Sequence, residues 1–288
     1  MAYTAATATL GGGHEVGRPG AVALNFLPVF WIAGEDFGIL KPLLNGQTVV
    51  LMARWDAACA ATLMARYAVT ETVATVDNYV ELMDSPGVAG RDLASLAHPL
   101  AVSFVLALTP EIRRRWREWT GGTLREASYG MTETHTADTF TLGFQNDDRD
   151  LAGDPVFCGL PVPGTDILVV DHDGAPVPIG ATGEIVVRSP SILTGHHRRP
   201  EATAAAIRHG WLHTGDVGKL DAWGAVHYLA RTKEMIKVNG MSVFPAEVEA
   251  LLKRHPWLCQ LGVAPLGRFD LAPGVVWFAV GRVVSSPG

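Results

Sequence analysis

Three short segments of the chain combine side chains that could bind a nucleotide. The first, residues 128–135, places Tyr129, Gly130, Thr132 and Glu133 close together. An aromatic face can hold a base, a hydroxyl can contact a phosphate, and a carboxylate oxygen is a hard ligand suited to Mg²⁺. The spacing therefore allows a nucleotide site, although on this pattern alone an ordinary turn between a strand and a helix is the simpler interpretation.

The second segment ends in Asp216, which follows Gly215 and lies shortly after Trp211. An acid on a glycine turn can accept hydrogen bonds from both hydroxyls of a ribose. The commoner use of such a residue is to cap nearby backbone amides. The third segment, residues 231–240, is rich in charged side chains and by itself is typical of a solvated loop. Each segment alone is weak evidence for a site.

The composition is that of a globular protein. The chain has 288 residues, of which 48% are hydrophobic and 18% are charged. This length allows one large domain, or one large and one small domain. A net charge of -6 without a run of lysine or arginine argues against nucleic acid as a partner. The cysteines Cys59, Cys158 and Cys259 are too far apart for a CxxC metal pair, which suits a reducing compartment.

No segment contains the roughly 18–20 uninterrupted apolar residues that a membrane span requires. The best candidates, residues 100–108 and 275–280, are better interpreted as buried strands. Residues 1–20 lack a cationic start followed by an apolar stretch, so no signal peptide is predicted. We therefore expect a soluble, cytoplasmic chain, while its oligomeric state stays open.

The elements that would position the three segments alternate in type along the first half of the chain. Alternating strands and helices favour α/β layering. One helix is bounded by local signals: Thr109 as a cap, Pro110 in the first turn and Gly121 after the end. The other predicted elements are strands at residues 22–32, 48–52 and 72–76 and a helix at residues 56–67.

From about residue 155 the pattern changes to short strands that are rich in valine and isoleucine and separated by turn clusters. This pattern predicts a β-rich subdomain with strands at residues 166–170, 184–188 and 225–229. Beyond a basic stretch, Pro245 opens a further predicted helix and Pro256 closes it.

Taken in this order and spacing, the segments resemble the adenylate-forming superfamily of acyl-CoA synthetases, luciferases and adenylation domains of peptide synthetases. The chain is most similar to fatty-acid and other acyl-CoA synthetases. The matches extend over about residues 20–265 and comprise residues 27–31, 129–133, 159–164, 183–188, 195–203, 211–216, 231–240 and 245–249.

The resemblance implies an α/β fold. It would comprise part of the large layered α/β domain of these enzymes, a β-rich subdomain and the start of a small α+β C-terminal domain. The corresponding boundaries are 1–154 for the partial α/β region, 155–230 for the β-rich subdomain, 231–234 for a hinge and 235–288 for the partial C-terminal domain.

The resemblance also implies a chemistry. A carboxylate attacks the α-phosphate of ATP to give an acyl-adenylate and pyrophosphate, and a thiol, usually CoA, then takes the acyl group. ATP, Mg²⁺ and CoA are thus the implied cofactors. Such chemistry depends mainly on positioning and on neutralised charge. By resemblance, Tyr129 lies against the adenine next to Gly130, Thr132 touches the α-phosphate, Glu133 holds Mg²⁺, and Asp216 and Arg231 bind the ribose.

The third segment receives its roles in the same way. Lys233 stands where the family has its hinge, about which a small C-terminal domain rotates between the two half-reactions. Lys237 and Gly240 lie on the loop that would then face CoA, where glycine allows close approach of the thiol arm.

The apolar stretch at residues 24–32 and the neighbourhood of His135 favour a fatty acid as substrate. His135 either borders the acyl pocket or is a polar residue on the helix after the motif. The alternatives are an aryl-acid CoA ligase and a non-catalytic remnant that binds a nucleotide or an acyl group. A metal-hydrolase interpretation of His209 and His213 fails because Gly210 interrupts the helix, so these are interpreted as surface histidines.

The sequence departs from the family in several places. Residues 1–20 do not resemble its phosphate loop, and no lysine follows Lys253, so we expect a chain that is truncated at both ends and adenylates weakly or not at all on its own. Bulky residues at 104–107 replace a Gly-Gly-Ala stretch and should narrow the pocket. Trp31 replaces a histidine, which should change specificity more than competence.

Overall fold

The computed structural model describes residues 2–12, 20–88, 90–103, 106–135, 137–151, 156–232, 236–238 and 241–243. The chain divides into two compact units. Unit 1 comprises Met1–Ala152, Cys158–Asp166 and Val187–Leu212, and unit 2 comprises Gly153–Phe157, Ile167–Val186 and His213–Gly288. The domain boundaries given above stay predictions.

Helices and strands alternate along the first half of the chain, as predicted. The helices are α1 (Ala2–Gly12), α2 (Ile32–Glu35), α3 (Lys41–Asn45), α4 (Ala57–Tyr67), α5 (Val76–Asp84), α6 (Pro110–Thr120) and α7 (Pro200–Ala206). A π-helical turn, Asp36–Leu40, joins α2 to α3, and 3₁₀ turns occupy Pro86–Val88 and Thr132–Thr134. Among the described helices, none combines the length and the apolar character needed to cross a membrane.

The strands fall into one parallel sheet, one larger sheet and one short hairpin. They are β1 (Val22–Asn25), β2 (Thr48–Leu51), β3 (Glu71–Thr75), β4 (His98–Val102), β5 (Arg125–Glu126), β6 (Thr139–Phe140), β7 (Val156–Pro161), β8 (Asp166–Val170), β9 (Gly183–Arg188), β10 (Ile207–Arg208), β11 (Trp211–Leu220), β12 (Val226–Arg231), β13 (Ile236–Val238) and β14 (Met241–Val243).

The parallel sheet of unit 1 has the strand order β2–β1–β3–β4–β5. Its register aligns Ala23 with Glu71, Glu71 with His98, and Leu100 with Arg125. Helices α4, α5 and α6 contribute Met64, Tyr79 and Trp116 to the buried core that includes residues of this sheet. A parallel sheet with helical connections confirms the α/β fold class.

Local capping explains the helices that the sequence predicts. Asp56 accepts a hydrogen bond from the Cys59 N–H at 2.7 Å and begins α4. Thr109 does the same for α6 by accepting from the Ile112 N–H at 3.2 Å. Helix α6 ends at Gly121, which has a φ of +78°.

The predicted strand at residues 22–32 is wrong beyond Asn25. The Asn25 Oδ1 atom accepts a hydrogen bond from the Leu27 N–H at 3.2 Å, and the Trp31 N–H donates to the Pro28 carbonyl at 2.9 Å. The chain therefore leaves the sheet and turns into α2. The turn after β1 approaches helix α2 so closely that a Cβ atom on Gly34 would lie 2.2 Å from the Pro28 oxygen.

The larger sheet has the strand order β6–β7–β12–β11–β9–β8, with β10 paired to β11. In unit 2, β11 and β12 are antiparallel and bring Asp216 opposite Arg231, with an irregularity between Val217 and Gly218. Strands β8, β9 and β12 correspond to the three strands predicted for the β-rich region.

Candidate functional site

The candidate residues of unit 1 lie where strands of the parallel sheet end. Residues 27–31 follow β1, and residues 128–134 follow β5. Because the five strands are parallel, their carboxyl ends lie along one edge of the sheet. This is the edge at which open α/β sheets bind ligands.

The segment from Tyr129 to Thr134, called here the Tyr129 turn, is held by hydrogen bonds to the backbone of Tyr129 and leaves some of its side chains accessible. The Tyr129 N–H donates to the Thr139 Oγ1 atom at 2.8 Å, and the Tyr129 carbonyl accepts from the Asp138 N–H at 2.9 Å. Tyr129 is buried, whereas Thr132 is exposed and Glu133 is half-buried. The hydroxyl and carboxylate predicted to meet a phosphate and Mg²⁺ are thus accessible.

Asp138 supports this turn and was not identified from the sequence. Its carboxyl group is fully buried and hydrogen-bonds the Thr134 hydroxyl through Oδ2, while Oδ1 has no hydrogen-bond partner among the described residues. The Thr134 Oγ1 atom also accepts from the Met131 N–H at 3.2 Å. Burial raises the pKa of Asp138 from 3.8 to about 8, so the carboxyl is mostly neutral at pH 7.

The neighbours of the Tyr129 turn show what else contacts it. Gly130 is exposed. The Leu193 N–H donates to the Glu133 carbonyl at 2.8 Å, which ties a later loop of unit 1 to the turn. His135 ends the 3₁₀ segment with a φ of +59° and is half-buried, and this burial lowers its pKa. His135 is thus a turn residue here, and the predicted acyl-pocket contact stays a prediction.

In unit 2, the segment from His213 to Asp216, called here the Asp216 turn, lies within strand β11. Asp216 is 3% exposed, and its Oδ1 atom lies 2.9 Å from the Arg231 Nε atom. The Arg231 side chain remains half exposed. The structure therefore brings together the two residues that were predicted to bind the ribose.

The Asp216 turn is held by strand β9. Thr214 donates from Oγ1 to the Ile185 carbonyl at 2.6 Å and accepts from the Asp216 N–H at 3.0 Å. Glu184 accepts from the Gly215 N–H at 3.0 Å through Oε1, and its Oε2 atom lies 2.8 Å from the His213 Nδ1 atom. Residues 183–188 were matched as a motif, but the motif itself gives no role to Glu184.

The interpretation of His213 as a surface histidine is wrong. Its side chain is only 12% exposed, and its Nδ1 atom lies 2.8 Å from the Glu184 Oε2 atom. His209, in contrast, is exposed and has a φ of +51°. Glu184 therefore serves His213 as a hydrogen-bonding partner within unit 2.

Several predicted residues lie outside the described part of the chain. Lys233, Gly240 and residues 104 and 105 are among them, as is the helix predicted between Pro245 and Pro256. Lys237 belongs to β13 and is in register with Ser242 of β14, while its side chain lies outside the described residues. The hinge and CoA-facing roles stay predictions.

Comparison with known proteins extends the resemblance beyond the motifs. A family model described as AMP-binding enzyme matches residues 1–197. The chain is 33% identical over 248 residues to 4-coumarate–CoA ligase 2 of Oryza sativa subsp. japonica and 32% identical over 246 residues to 4-coumarate–CoA ligase of Pinus taeda. Each alignment covers 85% of this chain but only 43% and 45% of the relatives, so the chain spans less than half of their length.

Solved structures show the same relationship. O-succinylbenzoate coenzyme A synthetase from Bacillus subtilis, in complex with ATP and magnesium ion, superposes with a TM-score of 0.80 at 26% identity, over 98% of this chain and 56% of that one. The amide bond synthetase McbA from Marinactinospora thermotolerans gives a TM-score of 0.81 at 26% identity, over 99% and 56%.

Proposed function

Since the chain belongs to the AMP-binding enzyme family, as its motifs predicted, we propose that it serves the ATP-dependent activation of a carboxylic acid. A carboxylate oxygen attacks the α-phosphorus of ATP and pyrophosphate leaves. The sulfur of CoA then attacks the acyl carbonyl and AMP leaves. The observation that carries the proposal is the Tyr129 turn at the carboxyl edge of the parallel sheet, with Thr132 and Glu133 accessible.

In unit 1, we assign the adenine to Tyr129 beside Gly130, and the α-phosphate to the exposed hydroxyl of Thr132. Glu133 fits a magnesium ion, because it is a half-buried carboxylate with which no described residue forms an ion pair. A bound Mg²⁺ would neutralise charge on the phosphates. Glu133 would hold the ion, and the hydrogen bonds below the turn would fix its position.

In unit 2, we assign the ribose hydroxyls to Asp216, with Arg231 beside it. The Arg231 Nε atom lies 2.9 Å from the Asp216 Oδ1 atom, so the guanidinium balances the charge of the Asp216 carboxylate. An ionised carboxylate can accept hydrogen bonds from two neighbouring hydroxyls. We retain Lys233 as the proposed hinge and Lys237 and Gly240 as residues that face CoA.

The substrate that we favour is an aryl acid rather than the fatty acid expected from the sequence. Three of the similar proteins reported above are named for the aromatic acids 4-coumarate and O-succinylbenzoate. The apolar stretch that favoured a fatty acid has another explanation, because Leu24 belongs to the core of unit 1 and is 2% exposed. Trp31, on the turn after β1, is an aromatic residue suited to an aryl substrate.

The proposal is tested by ATP–pyrophosphate exchange with Mg²⁺ and 4-coumarate, benzoate, octanoate or palmitate. We expect exchange with an aryl acid above that with palmitate. Because this chain spans less than half of its curated relatives, AMP binding by calorimetry is measured alongside. A folded chain that neither binds AMP nor supports exchange contradicts the proposed function, and exchange with palmitate alone restores the fatty acid.

A further inference from the structure

We infer that Glu184 is a positioning residue of the ribose site: it holds the Asp216 turn in the one conformation that presents the Asp216 carboxylate. This inference rests on the proposed binding of a nucleotide ribose by Asp216. Glu184 itself contacts no part of the nucleotide in this assignment and acts through the turn.

The contacts of Glu184 span the turn. One carboxylate oxygen accepts from the Gly215 N–H at 3.0 Å, and the other lies 2.8 Å from the His213 Nδ1 atom. The intervening Thr214 donates to the carbonyl of Ile185, the next residue of β9, at 2.6 Å. Three consecutive residues of the turn are therefore bound to two consecutive residues of one strand, which fixes their register.

The conformation that these contacts hold requires such support. Gly215 has a φ of +72°, a left-handed conformation, and glycine is the residue with the most alternatives to it. The Asp216 N–H depends on the same geometry, because it donates to the Thr214 Oγ1 atom at 3.0 Å. The Gly215 carbonyl also accepts from the Thr232 N–H at 2.8 Å, so the turn is held from both sides. Releasing the Gly215 N–H would loosen the side that faces β9, and a ligand would then have to order that side as it binds.

Both contacts of Glu184 are made by its carboxylate oxygens. One oxygen accepts from the Gly215 N–H and the other accepts a proton on the His213 Nδ1 atom. A glutamine could keep both contacts, because its NH₂ group can donate to the His213 Nδ1 atom when that ring carries its proton on Nε2. Glu184→Ala removes both contacts at once, which makes it the sharpest single change.

The experiment compares the affinity for AMP with that for 2′,3′-dideoxy-AMP, measured by calorimetry on the full chain and its variants. If Asp216 accepts the ribose hydroxyls, the unchanged protein should prefer AMP by roughly tenfold or more. We expect Glu184→Ala to reduce this preference to about threefold or less while its affinity for dideoxy-AMP stays unchanged. A general loss of structure would instead weaken both ligands together.

Asp173→Ala is the matched control. Asp173 also pairs with a histidine of unit 2, His172, at 3.2 Å, but this pair is exposed and contacts neither turn. We expect the control to retain the full preference for AMP. Should Glu184→Ala fail to fold, His213→Ala removes the histidine contact alone and should give an intermediate preference.

The outcomes separate this inference from the proposed function. If the unchanged protein does not prefer AMP over dideoxy-AMP, the ribose role of Asp216 is overturned, and the role of Glu184 with it. If the unchanged protein prefers AMP and both Glu184→Ala and His213→Ala retain that preference, only the inference about Glu184 is overturned.

Discussion

The Tyr129 turn of unit 1 and the Asp216 turn of unit 2 are both supported by an acid, but by different physical means. Asp138 is fully buried beneath the first turn and has one oxygen without a partner among the described residues. Glu184, which supports the second, has a side chain 26% exposed and uses both oxygens. The first turn is held by a carboxyl that burial keeps neutral, and the second by an acid surrounded by donors.

This difference predicts which property a substitution in the support of each turn should change. A buried acid with a raised pKa links the first turn to pH and to the stability of unit 1. The second turn is held by a network of hydrogen bonds around a glycine with a positive φ. A change in this network should therefore alter the surface that a ligand contacts. We therefore expect a substitution of Asp138 to change mainly the free energy of unfolding, and a substitution of Glu184 to change mainly the affinity for a ligand.

The largest expected effect is on the pH dependence of stability. The pKa of Asp138 is raised from 3.8 to about 8, so its folded form retains a proton that the unfolded form releases. That stability is fully present below about pH 4 and is lost as the pH rises to about 8. Asp138→Asn cannot titrate, so its free energy of unfolding relative to the unchanged protein should rise by about 1 kcal/mol per pH unit between pH 5 and 8.

Denaturant unfolding at pH 5, 6, 7 and 8 measures this difference. The control is Thr132→Ala, a change at an exposed residue that does not titrate, for which the difference should be the same at every pH. Asp36 and Glu126, whose pKa values burial raises to about 7, remain in both proteins and cancel from the comparison. A constant offset for Asp138→Asn would mean that Asp138 is ionised throughout, and the contrast between the two turns would disappear.

The next effect compares the two turns in binding. Asp216→Ala should lower the affinity for AMP by roughly 10- to 100-fold, because it removes a charged acceptor of two hydrogen bonds. Thr132→Ala should lower it by about threefold or less, because an exposed hydroxyl makes one hydrogen bond, to a phosphate that water can also solvate. Calorimetry on both variants, with Asp173→Ala as the control, gives the comparison. Equal losses would contradict the assignment of the ribose to Asp216.

A smaller effect distinguishes two threonines. Thr214 is 9% exposed, donates to the Ile185 carbonyl and accepts from the Asp216 N–H, so Thr214→Val leaves both groups without that partner. We expect the free energy of unfolding to fall by about 1–2 kcal/mol. Thr132→Val, at an exposed position in the other turn, should change it by less than about 0.5 kcal/mol. Similar values for the two would show that the hydroxyl of Thr214 carries no structural role.

The elements that the sequence predicts well are those with local signals. Helix α6 begins after Thr109 and ends before Gly121, because capping depends on neighbours within a few residues. Strand β8 has the predicted bounds, since turn residues stand at both of its ends. The strand predicted at residues 22–32 runs too far, because apolarity does not separate a buried residue such as Leu24 from Phe30, which is 93% exposed.

The supports of the two turns could not be predicted in the same way. Glu184 contacts His213 and Gly215 across 29 and 31 residues of sequence, and no local pattern encodes such a pairing. Asp138 lies only four residues from Thr134, but its role depends on burial by the surrounding fold. Motifs therefore gave the residues that we propose to contact the ligand, and that assignment stays a prediction, while the residues that support them could be identified only from the structure.

The smallest expected effect tests whether only the Tyr129 turn responds to magnesium. Glu133→Gln should weaken ATP binding by about three- to fivefold when Mg²⁺ is present, because the amide is a poorer ligand for a hard cation than a carboxylate. Without Mg²⁺, the affinity for AMP should be unchanged. Asp216→Ala provides the contrast, since losing a ribose contact should weaken AMP and ATP alike in either condition. Calorimetry with Mg²⁺ or with a chelator measures all four affinities. If ATP binding by the Glu133→Gln variant still depends on magnesium as in the unchanged protein, the ion does not bind at the Tyr129 turn. If the variant loses affinity for AMP in the absence of the ion, Glu133 supports the turn rather than the metal.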